Sequence, residues 1–269
     1  MPTIQFSPCP NDTFIFDALV NKKIDTDGID FEVTLKDVQA LNEDAICGEA
    51  DITKISFGVL PEIINHYKLL DSGAALGSSV GPLVITSQKD SVDVTSNSVA
   101  IPGKNTTAHL LFSLAYPKAQ QKIFLRYDEI ENFVAEGKGY GVIIHENRFT
   151  YAEKGLHKII DLGEYWEQKT GVPIPLGGIV IKRNFDDSFQ QKIDQLIRKS
   201  IEYAYQKYPL LNDFVISNAQ EMSEDVMRKH IDLYVNSYSL SLGEKGRGAI
   251  RKLFENNSLN KLSDREIFV

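Results

Sequence analysis

The sequence predicts an α/β fold of two lobes. Three observations carry that expectation. Short apolar segments alternate with helical ones from Ile4 onward. A polar stretch, Ser87 to Ser96, separates two such sets. The final third of the chain reads as helical.

Ile4-Gln5-Phe6 reads as a first strand, and Asp12 to Val20 as the helix after it. Asp30 to Leu35 alternates as a strand, with Phe31, Val33 and Leu35 on one face. Asp37 to Cys47 follows as a helix that Gly48 can end. Asp51 to Ile55 is a strand, Val59 to Tyr67 a helix, and Pro82 to Thr86 another strand. This half predicts a parallel or mixed sheet with helices packed on it. After the polar crossing, Ser98 to Ile101 opens a second set. Pro102-Gly103 turns into a helix from Thr106 to Ala115. Tyr140 to Ile144 and Gly178 to Ile181 are further strands. A long helix from Ser188 to Tyr208 keeps Ile193, Leu196, Ile197, Ile201, Ala204 and Tyr208 near a 3.6-residue period, with Asp187 as its cap. Two more helices are expected from Ser223 to Tyr234 and from Glu244 to Glu255. Periodicity leaves open which lobe the returning segment joins.

Composition narrows the function classes. The 269 residues are 42% hydrophobic and 25% charged, an ordinary globular balance. At roughly 100–200 residues per domain, the chain suffices for one large domain or two lobes. The net charge of −8 gives no sign of a nucleic-acid partner. No apolar run approaches the ~20 residues of a membrane span. Met1 to Phe6 has neither a basic nor a long apolar leader region, so a cytoplasmic location is expected. Cys9 and Cys47 are expected to be free thiols. The five histidines lack metal-site spacing and no CxxC occurs, so no metal is expected.

Four segments bring polar groups to strand ends, where α/β folds bind ligands. Ser7-Pro8-Cys9-Pro10-Asn11-Asp12-Thr13 crowds Asn11 and Asp12 at one such end, though it also reads as a turn and helix cap. Lys54, Ile55 and Ser56 close the third strand. Lys54 could meet a carboxylate, or be an ordinary surface lysine. Thr106 and Thr107 open a helix whose free N–H groups favour an anion, and Thr106 also reads as a plain cap. His145 follows the buried run Gly141-Val142-Ile143-Ile144 and has the pKa range of a general base; a structural histidine is the alternative.

The longer motifs resemble one family. They are SPCPNDTFIFDAL (Ser7 to Leu19), GEADITKIS (Gly48 to Ser56), GPLVI (Gly81 to Ile85), PGKNTTAHLL (Pro102 to Leu111), GVIIHENRFTY (Gly141 to Tyr151), EYWEQKTGVPIPLGGI (Glu164 to Ile179) and HIDLYVNSYSLSLGEKGRGAI (His230 to Ile250). Together they resemble the 1,4-dihydroxy-6-naphthoate synthases of the futalosine route to menaquinone. The resemblance implies a type II periplasmic-binding-protein-like fold with a ligand cleft between lobes that closes on substrate. It implies a discontinuous large lobe, 1–88 with 186–269, and a small lobe, 89–185. The stretches near Ser87–Ser96 and Arg183–Asp187 then read as hinge strands.

The implied reaction is a cofactor-independent lyase step on cyclic dehypoxanthinylfutalosine, giving 1,4-dihydroxy-6-naphthoate. The implied base is His145. Lys54, Ile55, Ser56, Thr106 and Thr107 are the implied substrate contacts, with Asn11 and Asp12 in the pocket. The partner is a small-molecule carboxylate, and a homodimer is the candidate assembly. Two alternatives share the fold: a non-catalytic carboxylate binder or sensor, and chorismate dehydratase, which lacks the SPCPND signature.

Overall fold

A computed structural model describes residues 1–89, 93–219, 223–255 and 258–269. The chain divides into two compact units. Unit one is Met1–Gly77 with Pro175–Val269, and unit two is Ser78–Ile174. Among the described residues the strands are β1 Thr3–Phe6, β2 Glu32–Leu35, β3 Ile52–Ser56, β4 Tyr67–Leu69, β5 Ala75–Gly77, β6 Leu83–Thr86, β7 Val99–Ile101, β8 Lys122–Phe124, β9 Tyr140–Ile143, β10 His157–Asp161 and β11 Ile174–Lys182.

The sheet of unit one has the order β2-β1-β3-β11-β4, with β5 also paired to β11. It is mixed. β1 runs parallel to β2 and β3, while β11 runs antiparallel to β3 and β4. Ile4, Phe6 and Ile52 from this sheet meet Phe14, Ile15, Phe16 and Leu19 of the helix Pro10–Val20. The long helix Asp187–Lys207 adds Ile193, Leu196, Ile197 and Ile201 to the same core, and Met227 and Ile231 come from the helix Glu224–Tyr234. The near-3.6 spacing of those apolar residues explains why one stripe of the long helix is buried.

Unit two holds the sheet β10-β6-β9-β7-β8. Leu83, Ile85, Ala100 and Ile143 cover its core with Ile130 and Val134 of the helix Ile130–Ala135. Among the described residues no helix is long and apolar enough to cross a membrane.

Several local expectations need correction. The segment expected as one helix from Val59 to Tyr67 breaks up. It forms a 3-10 turn Phe57–Val59, a single α-turn Leu60–Ile63, and then strand β4. Tyr67 belongs to the strand because it pairs with Lys182 of β11, and its hydroxyl donates to the buried Ala50 carbonyl at 2.7 Å. The cap of the long helix is Asp186 rather than Asp187. Its carboxylate accepts from the Phe189 amide at 2.8 Å, the reach of a side chain three residues earlier.

The units also divide at other points than 88/89 and 185/186. β6 pairs with β9 and β10 and so belongs to unit two, while β11 pairs with β3 and β4 of unit one. Arg183–Asp187 lies inside unit one, where the Arg183 amide donates to His66 O and its guanidinium to Ile64 O. Within the expected crossing Ser87–Ser96, residues 90–92 lie outside the described residues.

The glycine pair of the TGVPIPLGGI motif has a steric cause. Gly177 lies opposite Ser56, and Gly178 opposite Ile55. A Cβ on Gly177 would stand 2.6 Å from the Ile55 carbonyl oxygen, a backbone atom that cannot swing away. By contrast, a Cβ on Gly248, in the helix Gly243–Leu253, would meet nothing within 4 Å. Gly177→Ala should therefore lower stability by about 1–3 kcal/mol, and Gly248→Ala should raise it by about 0.5–1 kcal/mol. Urea unfolding of both variants checks the contrast; equal effects would refute the steric account.

Candidate functional site

In unit one, the signature segment and the end of β3 converge on a single carboxylate. Pro10 starts the helix Pro10–Val20 behind the cap residue Cys9, which places Asn11 and Asp12 in its first turn. Proline suits that position because the missing N–H would have no helical partner. The Asp12 carboxylate accepts from Ser7 Oγ at 2.7 Å, from the Ser7 amide at 3.3 Å and from Asn11 Nδ2 at 2.8 Å. Lys54 Nζ lies 3.2 Å from Asp12 Oδ1, with both side chains almost wholly buried. Lys54 Nζ also donates to the Gly73 carbonyl at 2.8 Å. Lys54 is thus no surface lysine. Asp12 and the Gly73 carbonyl compensate its burial, while an ammonium has three hydrogens to give.

Asn11 and Asp12 therefore fasten Lys54 and their own turn. Gly73 holds its carbonyl in place at φ +81°, where a Cβ would strike the Ile179 side chain at 2.1 Å. Ser56 is fixed by Asn42, whose Oδ1 accepts from the Ser56 amide at 2.8 Å and whose Nδ2 donates to Ser56 Oγ at 3.2 Å. Ile55 is 1% exposed and packs within the sheet.

In unit two, Thr106 caps the helix Thr107–Ala115, and its hydroxyl oxygen accepts from the His109 amide at 3.2 Å. The same hydroxyl donates to the Gly103 carbonyl at 2.9 Å, and Thr107 is buried. His109 sits between the Lys104 carbonyl, 2.7 Å from Nδ1, and Lys122 Nζ, 3.3 Å from Nε2. An ammonium only donates, so Nε2 accepts and Nδ1 carries the proton to Lys104. Burial pushes the His109 imidazole below its ordinary pKa. The Lys104 carbonyl opposes this, and the charges of Lys122 and Lys104 add to it.

His145 is half-buried just past β9, with its ring 5.1 Å from that of Tyr127 in an edge-on arrangement. Its backbone has φ +57°, a conformation that costs a non-glycine residue energy and that clusters at functional sites. The turn is pinned downstream. The Arg148 amide donates to the His145 carbonyl at 3.3 Å, and the Arg148 guanidinium reaches Asp161 at 2.5 Å, Ser79 O at 2.8 Å and Gly81 O. Asp161 in turn caps the helix Leu162–Thr170.

The structure thus joins Asn11, Asp12 and Lys54 in one network, and Ser56 to Asn42 in another. Thr106 caps one helix of unit two, and His145 lies on a strained turn of the same unit. Sequence reasoning missed Asn42, Gly73 and Arg148. Asn42 left a faint signal, an amide beside Leu41 in the apolar part of a helix.

Comparisons with known proteins match the chain over nearly its whole length. A family model described as menaquinone biosynthesis matches residues 2–258. A Thermus thermophilus protein named 1,4-dihydroxy-6-naphthoate synthase is 40% identical over 268 residues, covering 98% of this chain and 97% of its own. A Streptomyces coelicolor protein of the same name is 41% identical over 256 residues, covering 93% and 90%. Among solved structures, an Archaeoglobus fulgidus protein superposes with TM-score 0.89 at 28% identity, covering 97% of this chain and 98% of its own. The periplasmic aliphatic sulphonate binding protein of Escherichia coli shares the fold with TM-score 0.66 at 9% identity, covering 99% and 89%.

Two outcomes follow from the charges. Asp12→Asn removes the counter-charge of a buried ammonium and should cost about 3–5 kcal/mol. Thermal unfolding checks it, and a loss under 1 kcal/mol would mean that the pair is effectively solvated. For His109, the folded-state pKa lies below the free imidazole value of 6.5. Its contribution to stability is therefore full above that pH and is lost as pH falls through the folded value. His109→Gln should flatten the acid limb of the stability–pH curve between about pH 7 and 5; an unchanged limb would contradict it.

Proposed function

This chain belongs to the menaquinone biosynthesis family, and we propose that it is a lyase that converts cyclic dehypoxanthinylfutalosine to 1,4-dihydroxy-6-naphthoate, with His145 as general base. The observation that carries the reading is the 40% identity to a curated synthase over nearly the full length of both chains.

The chemistry asks for a base that takes a carbon-bound proton beside a ketone. The resulting electron pair drives elimination of the sugar-derived fragment, and aromatisation supplies the driving force. An imidazole with an ordinary pKa near 6.5 suits that step at neutral pH. The strained turn at His145, pinned by Arg148, supports this role, because a base must be held within hydrogen-bond reach of its proton. Lys54 and Ser56 are the proposed contacts for acceptor oxygens of the substrate. Thr106 and Thr107, at the start of the helix Thr107–Ala115, are proposed to receive a second polar group of it. Asn11 and Asp12 serve by holding Lys54.

Incubating the purified chain with cyclic dehypoxanthinylfutalosine should yield 1,4-dihydroxy-6-naphthoate, detected by mass spectrometry. His145→Ala should keep the fold and ligand binding while turnover falls by about 10²–10⁴-fold. Near-wild-type turnover in that variant would end the assignment of the base. Tight binding without product from the wild-type chain would favour a carrier or sensor.

A further inference from the structure

We propose that Asn42 is a positioning residue that keeps the Ser56 hydroxyl proton turned away from itself and free to be donated to an acceptor oxygen of the substrate. The inference rests on the reading of Ser56 as a substrate contact. Asn42 lies in the helix Val38–Cys47 and is completely buried. An amide so placed is costly unless hydrogen-bonded, and both ends of this one meet Ser56. The Ser56 peptide N–H can only donate, so the atom facing it at 2.8 Å is the Asn42 carbonyl oxygen. That fixes the amide's orientation. Nδ2 then faces Ser56 Oγ at 3.2 Å, and an NH2 group can only donate there as well. The hydroxyl oxygen therefore accepts from Asn42, and its own proton points elsewhere.

Where that proton points bears on substrate choice. Lys54 and Ser56 are two apart on β3, so their side chains leave the same face of the strand. Lys54 is a donor held by Asp12 and the Gly73 carbonyl. With Asn42 in place, Ser56 is a second donor on that face. Two donors on one face favour an oxygen that accepts from both, such as that of a carboxylate or a ketone, over an ammonium, which cannot accept.

Asn42→Asp keeps an acceptor for the Ser56 amide but presents a second acceptor to Oγ. The hydroxyl proton then turns inward, away from the substrate. Asn42→Asp and Ser56→Ala should each raise KM about ten- to hundredfold, with kcat changed far less. The double variant should be no worse than Ser56→Ala alone, since the aspartate keeps an acceptor for the Ser56 amide and residue 42 is proposed to reach the substrate through that hydroxyl. A wild-type KM in Asn42→Asp, or additive losses in the double variant, would overturn the proposal. Ser56→Ala keeps the backbone clamp on Asn42, so an unchanged KM there overturns it even if Asn42→Asp does not fold. Wild-type turnover with unaffected variants removes the roles of Asn42 and Ser56 and leaves the synthase reading standing. Absence of wild-type turnover overturns the functional reading and this inference with it.

Discussion

A lysine ammonium withdrawn from water must be given a counter-charge, and the core of unit one is arranged around meeting that demand for Lys54. Asp12 supplies the charge, and it can do so only because a proline-started helix sets it at the end of β1. Ser7 and Asn11 satisfy the other lone pairs of the carboxylate. On the opposite side, the Gly73 carbonyl takes a second hydrogen of the ammonium. One ion pair thus ties together the signature turn, the third strand and the loop before β5. A residue that looks like a substrate contact in sequence can instead be the support of another candidate residue.

The architecture was legible where periodicity was strong. The long helix announces itself through Ile193, Leu196, Ile197 and Ile201, and the end of Val38–Cys47 through Gly48. Strands of three residues, such as β4, β5 and β8, are too short to show an alternation, and the helix expected to end at Tyr67 overruns the first residue of β4. Unit boundaries escaped for a related reason. Strand partners are set by tertiary pairing, and nothing local in Leu83–Thr86 says which sheet will take it.

The site was legible in kind more than in detail. Lys54, Ser56, Thr106 and His145 all stand out as polar residues at strand or helix ends. Their supports do not. Asn42 lies 14 positions before Ser56, and Gly73 lies 19 after Lys54. Such long-range hydrogen bonds leave no spacing to read. The positive φ of His145 was equally hidden, because histidine is an uncommon occupant of a conformation that glycine usually fills.

The late arrival of β11 has a consequence for biosynthesis. It sits inside the sheet of unit one, next to β3 and β4, yet it begins only at Ile174. A ribosome adding roughly 5–20 residues per second leaves the first 77 residues without that strand for on the order of ten seconds. Unit two is continuous in sequence and can close its own sheet during the interval. The nascent chain therefore passes through a stage with one finished unit and one open sheet edge, the stage at which a chaperone has something to hold.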